Sequence, residues 1–592
     1  MTKATIASDR KSNPITTPTL EYTVAMPHPA SHLFEVTLHI KSWQRSLLNL
    51  KMPVWTPGSY LVREYAKQVQ DFQATPPDQT PLSSQKINKN HWQIDTHNHS
   101  EITVFYRVYA NELTVRTNHL DSTHGYFNGA ALFCYIPGLE NQPLQITLQP
   151  PHPDWTIATA LPPHPDKTNT FVAPDFDTLV DSPVEIGLHE THQFTVLGKK
   201  HRWTTWGSGN IDPQQVIKDT AKIIETEAKI YGGLPYQEYL FLLHLASNGF
   251  GGLEHKTSCS LIYSRFGFRN PSKYNRFMQL VAHEFFHLWN VKRIRPKALE
   301  VFDYDQENYT TSLWFCEGVT SYYDTLIPHW SGIYNRKTFL EILSKDINRY
   351  FNTPGRKVQP LTESSFDAWI KLYRRDANSD NSQISYYLKG EMVSLLLDLL
   401  IRKRHNNQRS LNTVMKQMWE QFGQEEIGYT PRQLKELLEA VAGMDLSDFF
   451  ARYLDGLEDL PLNEYLEPFG LRIKAVQDKR QPPYLGIRFT SQNPVTAQFV
   501  EANSPAGQAG IDAGDELLAL DGVRLTAEDF NERLQDYEAG DTVELTIFHQ
   551  DELQTHTLQL ATPQPSGYQL VMVEKPTEKQ KQLLNGWLGK EG

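Results

Sequence analysis

Cysteine is nearly missing from the chain: its 592 residues include Cys134, Cys259 and Cys316 alone. An odd, scattered trio without CxxC spacing supports neither a disulfide framework nor a cysteine metal knuckle, and it suits a reducing compartment. Long apolar runs are missing too. The most apolar helical stretch, Met392 to Ile401, falls short of the ~20 residues that cross a bilayer and is followed at once by Arg402, Lys403 and Arg404. It reads as a buried core helix, and no membrane partner is expected. The start, Met1 to Tyr22, is polar and rich in Pro and Thr and lacks the apolar segment of a secretory signal, which points to the cytoplasm. With 57 Lys and Arg against 69 Asp and Glu, a balance of −12, and no Lys/Arg-rich run, nucleic acid is excluded as an expected partner.

What is present is the composition of a folded globular protein, 39% hydrophobic and 11% aromatic, in a chain too long for one core. The reading is a multidomain α+β protein. Residues 1–19 form a polar tail. Over 20–190 the dominant signal is period-two alternation, as in Phe34, Val36, Leu38, Ile40 and in Ile102, Val104, Tyr106, Val108, which predicts a β-rich domain. From Asp212-Pro213, an N-cap followed by proline at the first helical position, the pattern turns helical to about Gly232. An apolar strand, Tyr239 to Leu245, leads to a Gly-rich turn at Gly249 to Gly252. A helix capped by Asn270-Pro271 then runs toward Pro296. Residues 191–350 are expected to form one domain and the mainly helical 351–476 another that completes its cleft, with loop-rich Asn352 to Asp380 as a wall. After the polar linker Gln477 to Pro483, short strands return, giving a domain over 477–575 and a tail over 576–592.

The chemistry centres on His283-Glu284-Phe285-Phe286-His287. Residues i and i+4 of a helix lie on one face, so two imidazoles can serve one ion, while Glu284 can accept the proton of a water held in the open fourth position. Two buried histidines making ordinary hydrogen bonds are the plain alternative. A third ligand is sought in Trp314-Phe315-Cys316-Glu317-Gly318-Val319-Thr320-Ser321-Tyr322-Tyr323, where Glu317 sits in an apolar, aromatic helix and needs a partner. Either a metal or a buried Arg or Tyr meets that need, and the metal is favoured. Ligand chemistry favours one zinc ion without excluding cobalt or manganese. His91, His97 and His99 lie in polar sequence and read as surface residues.

These strings resemble the two-His-one-Glu zinc peptidases called gluzincins and, within them, the glycyl aminopeptidase family. The resemblance rests also on Leu288-Trp289-Asn290-Val291-Lys292-Arg293-Ile294-Arg295-Pro296 and on the N-terminal Trp55-Thr56-Pro57-Gly58-Ser59-Tyr60. It implies a thermolysin-like catalytic domain with a helical C-terminal part and His283, His287 and Glu317 as zinc ligands. Glu317 follows His287 by 317 − 287 = 30 positions, longer than in aminopeptidase N relatives, and Glu307 is kept as a fallback. Tyr387-Leu388-Lys389-Gly390 resembles the relatives' Tyr-x-Lys-Gly string, which implies Tyr387 as the oxyanion donor, with Tyr386 competing. Gly249-Phe250-Gly251-Gly252-Leu253-Glu254-His255 looks like their Gly-x-Met-Glu-Asn string. Gly251 and Gly252 would let a substrate backbone approach, and Glu254 would hold its α-ammonium. Small N-terminal residues, Gly or Ala, are the implied preference.

Pro483-Tyr484-Leu485-Gly486-Ile487-Arg488-Phe489, with Ser504 to Gly510 and Gly514 to Gly522, resembles a PDZ domain. Its implied partner is a C-terminal peptide whose carboxylate meets backbone N–H groups at Leu485, Gly486 and Ile487. The leading reading is a zinc aminopeptidase acting on peptides with a free amino terminus. An endopeptidase with PDZ-guided substrates, and an inactive PDZ peptide-binding protein, are the alternatives. A homo-oligomer stays open.

Overall fold

The computed structural model of the chain describes residues 18–477 and 481–590. Most of the expected N-terminal tail, and residues 478–480 of the expected linker, lie outside the described residues. No helix among the described residues is long and apolar enough to cross a membrane.

The N-terminal part is built on a six-stranded sheet in which Leu33–Lys41 pairs antiparallel with both Thr19–Ala25 and Glu101–Tyr109. Cross-strand partners face the same way, so Val36 sits opposite Tyr106 and Leu38 opposite Val104, and all four are fully buried. The alternating runs in the sequence are thus the core face of one sheet. A smaller sheet of Thr156–Thr159, Val184–Gly187, His124–Phe127 and His119–Leu120 packs its Tyr126 and Ala158 against Leu240 and Leu242.

A second large sheet has the order Glu190–Val196, Lys199–Trp206, Glu238–Ala246, Ser258–Ser264, Phe250–Glu254. Its three middle strands are parallel, and both edge strands run antiparallel. The segment expected as a Gly-rich turn is therefore largely an edge strand, Phe250–Glu254, since the glycines pair across to Ile262 and Leu261. The Pro271–Phe286 helix ends at its C-cap His287 and does not reach Pro296. From Leu288 to Ile294 the backbone turns irregularly, and Val291 takes φ 116°, a costly conformation for a β-branched residue.

Two expected boundaries differ. Residues 191–350 and 351–476 share one hydrophobic core, in which Phe285, Leu326, Leu396 and Leu438 belong to a single cluster. Val54, Trp55 and Tyr60 of the N-terminal part join it, with Trp55 edge-on to Trp369 at 5.1 Å.

The C-terminal segment, expected as a tail over 576–592, holds a helix among its described residues. Thr577 and Gln580 form a capping box that opens a helix, Glu578–Leu588, whose Leu583, Leu584, Trp587 and Leu588 are buried in the catalytic core. Trp587 Nε1 donates to Tyr322 Oη at 2.9 Å. The PDZ core, centred on Leu485, Leu520, Phe530 and Leu545, is separate. It is bracketed by Leu471–Val476 and Gly567–Met572, which pair with each other, and Gly567–Met572 packs on the Arg336–Phe351 helix. Strand Gly567–Met572 therefore belongs with the catalytic body, and not with the PDZ domain over 477–575.

Candidate functional site

Asn270 caps the Pro271–Phe286 helix by accepting from the Lys273 amide, and Pro271 at its first turn costs no hydrogen bond. At the other end His283 and His287 stand one turn apart with their Nε2 atoms 3.0 Å from each other. Glu317 Oε2 lies 3.5 Å from His283 Nε2 and 3.2 Å from His287 Nε2. The oxygen is buried and has no partner in hydrogen-bonding geometry.

Each imidazole is held from behind. Asp324 Oδ2 is 2.8 Å from His283 Nδ1, and the Asn290 carbonyl is 2.8 Å from His287 Nδ1. These acceptors favour protons on both Nδ1 atoms and leave both Nε2 lone pairs facing inward. Two lone pairs and a bare carboxylate oxygen converging within 3.5 Å fit a divalent cation. The balance of charge agrees: against the opposing effect of burial, the bond to Asp324 and the nearby Glu317 carboxylate hold the His283 imidazole well above its ordinary range. The site attracts positive charge. Glu307 takes no part in this triplet, whose members are His283, His287 and Glu317.

Asn290 is the residue that reading the sequence by function passed over. Glu317 lies on a π-helical turn, Trp314–Gly318, which leaves carbonyls without their usual α-helical partners. The Asn290 side-chain amide donates to the Phe315 and Cys316 carbonyls at 2.9 and 3.0 Å, while its own carbonyl holds His287. One residue thus sets both a histidine and the turn that presents the carboxylate. A histidine motif followed by an irregular, Asn-containing segment was the only available signal.

Helix Tyr386–Arg404 crosses this turn at a pair of glycines: a Cβ on either Gly318 or Gly390 would collide with the backbone of the other. Close approach brings Tyr387 beside the histidines, its ring centroid 6.2 Å from that of His283. Tyr386 is fully buried behind it, stacked at 4.7 Å. Tyr373, on the loop-rich wall, places its Oη 2.9 Å from Tyr387 Oη. Burial, with Glu317 adding to it, keeps the Tyr387 hydroxyl protonated far above its usual pKa.

Opposite lies the edge strand. A Cβ on Gly252 would collide with the Glu284 carboxylate, so only glycine lets the strand pass over it. Gly251 has space instead, its nearest neighbour for a Cβ being Arg116 Nη1 at 3.8 Å. Arg116 Nη2 donates to the Gly252 carbonyl at 3.0 Å, a contact from the N-terminal part that no motif announced. Burial pushes the Glu284 carboxyl up to about 7, with His283 and His287 opposing the rise and Glu254 adding to it. Glu254 is buried, and its Oε1 has no hydrogen-bond partner. His255 turns away to Asp181 Oδ1, 3.1 Å distant, which also binds Lys292 Nζ at 2.6 Å.

The PDZ residues stand apart from these. Gly486 has φ 84°, and its carbonyl accepts from the Glu501 amide at 2.9 Å, while the Leu485 carbonyl accepts from Ala506. Ile487 begins a short strand, Ile487–Phe489, paired on one side with Ala497–Val500. The domain docks on the cleft wall: Arg488 pairs with Asp380, and the Asn381 side chain bonds the Val500 carbonyl and the Ala502 amide.

Comparison with known proteins agrees with this layout. Residues 21–188 match the Peptidase M61 N-terminal domain, residues 276–393 match M61 glycyl aminopeptidase, and residues 483–560 match a PDZ domain. The solved structure of an aminopeptidase N family protein from Idiomarina loihiensis is 33% identical, with TM-score 0.90, covering 96% of this chain and all of that one. An M1 zinc metallopeptidase from Deinococcus radiodurans overlaps more loosely, at 13% identity and TM-score 0.48, over 75% of this chain and 94% of that one. No curated protein matches by sequence.

Proposed function

The chain belongs to the M61 glycyl aminopeptidase family, a family of peptidases, and from that premise we propose a zinc-dependent aminopeptidase that removes small residues, Gly or Ala, from peptide amino termini. The observation that carries the proposal is Glu254: a buried carboxylate with an unpartnered oxygen, two residues beyond Gly252, which overlies Glu284. A free α-ammonium satisfies that oxygen; the interior of a polypeptide offers no such charge.

His283, His287 and Glu317 would hold the zinc ion, which when bound supplies Lewis-acid polarisation of the scissile carbonyl and acidifies water. Glu284, one residue past the first ligand, accepts the proton of the attacking water and delivers it to the departing amine. Tyr387 donates a hydrogen bond from its hydroxyl to the carbonyl oxygen as negative charge builds there. Gly251 and Gly252 let the substrate backbone lie along the edge strand. In the PDZ domain, Leu485, Gly486 and Ile487 receive the C-terminal carboxylate of a peptide added alongside Ile487–Phe489.

The test compares hydrolysis of glycyl- and alanyl-chromogenic amides with their N-acetylated forms, with and without a chelator, in the native chain and in Glu254→Ala. Chelator-sensitive cleavage of the free-amine substrates alone, with that selectivity lost in Glu254→Ala, is expected. Equal rates on blocked and free substrates point to an endopeptidase, and unchanged selectivity in the variant removes Glu254 from the role.

A further inference from the structure

A second set of histidines sits where the N-terminal part meets the catalytic sheet. In the hairpin His119–Leu120/His124–Phe127, His119 pairs with Tyr126 and Leu120 with Gly125. That register sets Asp121 opposite His124 and puts His119, Asp121 and His124 on one face. On the next strand Glu185 pairs with Tyr126 and joins the same face. A sheet face turned inward with two imidazoles and two carboxylates is expensive unless the groups satisfy each other.

They do so only in part. Glu185, buried at 1% exposure, accepts at Oε1 from His124 Nδ1 and at Oε2 from His244 Nε2, each at 2.9 Å. Trp206 stacks on the His124 ring at 3.6 Å and fixes its plane. Bonded to a carboxylate through Nδ1, His124 carries its proton there, which leaves Nε2 as a lone pair. That Nε2 is buried and has no hydrogen-bond partner. Asp121 Oδ1 is taken by the Thr123 and His124 amides, whereas its Oδ2 faces His119 Nε2 at 3.1 Å. Ligand-capable atoms of His119, Asp121 and His124 all lie within 4.8 Å of one another. The Asp121 side chain is one-third exposed, which gives an ion a path from solvent.

We propose that His119, Asp121 and His124 form a second divalent-cation site, suited to zinc, in which Glu185 orients His124 from behind. Two imidazoles and one carboxylate are a zinc-type donor set, and a carboxylate on the far nitrogen of a ligating histidine is its usual support. Because His244 shares Glu185 across the boundary, an ion here ties the hairpin to the catalytic sheet.

The test is zinc per chain, measured by mass spectrometry on the full-length protein equilibrated with micromolar Zn2+. Two equivalents are expected in the native chain. Asp121→Asn, which keeps the turn's acceptor oxygen, and His119→Gln should each lose one equivalent and keep peptidase activity within about twofold. His287→Ala should keep one. The difference between the native chain and the two hairpin variants decides the matter whichever way the His283 site behaves. An unchanged zinc count in both overturns the proposal.

Discussion

Gly58 stands against Glu254: a Cβ on Gly58, which has φ 84°, would lie 2.5 Å from Glu254 Oε1. The Trp-Thr-Pro-Gly-Ser-Tyr string of the N-terminal part therefore reaches into the cleft and fixes where the carboxylate can rest. Gly58→Ala should displace Glu254 and strain the backbone by about 1–2 kcal/mol. In steady-state kinetics on a glycyl amide, the expected result is a rise of about tenfold in KM with a smaller change in kcat. A native KM would show that the contact does not position Glu254.

Asn290 bonds both the π-helical turn of Glu317 and, through its carbonyl, His287. Asn290→Ala keeps the carbonyl but releases the turn. Zinc affinity, measured by competition with a chelator, should weaken by about 10–100-fold while the fold persists. Undiminished affinity would mean that the turn holds Glu317 unaided.

Tyr387 and Tyr386 are neighbours with different surroundings, since Tyr387 overlies His283 and Tyr386 is sealed in the core. Tyr387→Phe should lower kcat by about 10²–10³-fold with little effect on KM. Tyr386→Phe should leave kcat within a few-fold. The reverse pattern would exchange their roles.

His201 is buried on strand Lys199–Trp206, with Nε2 2.8 Å from Tyr236 Oη. Burial lowers its pKa from 6.5 to about 4. Between these values the unfolded chain binds a proton that the folded chain refuses, so stability falls as pH drops from about 6.5 to about 4. The loss is on the order of 3 kcal/mol at most. His201→Gln should flatten this part of a denaturation-versus-pH curve, and an unaltered slope would place the proton uptake elsewhere.

Trp587 is fully buried and bonded to Tyr322, although it lies only five residues from the chain end. Trp587→Ala should cost about 3–5 kcal/mol and lower the melting temperature by several degrees, measured by calorimetry. A native melting temperature would show that the helix is dispensable.

The sequence by itself determined the family and the α+β class, because short-range patterns carry both. Alternation at Phe34 to Ile40 declares a half-buried strand. The spacing of His283 and His287 puts two imidazoles on one helical face, and the glycines of the PDZ strings mark its turns. What only the tertiary structure decided concerns residues far apart in the chain. Nothing near Asn290 says that it will hold the turn of Glu317, since its partners depend on where the helix ends. Gly318 and Gly390 read as separate motif letters until their backbones meet, and Gly58 until it meets Glu254. The C-terminal helix looked like a tail because its apolar residues are few, and only the core that receives Trp587 explains them. Local propensity and periodicity act over a few residues and are legible in order. Close approach, burial and the choice of hydrogen-bond partner are properties of the assembled fold.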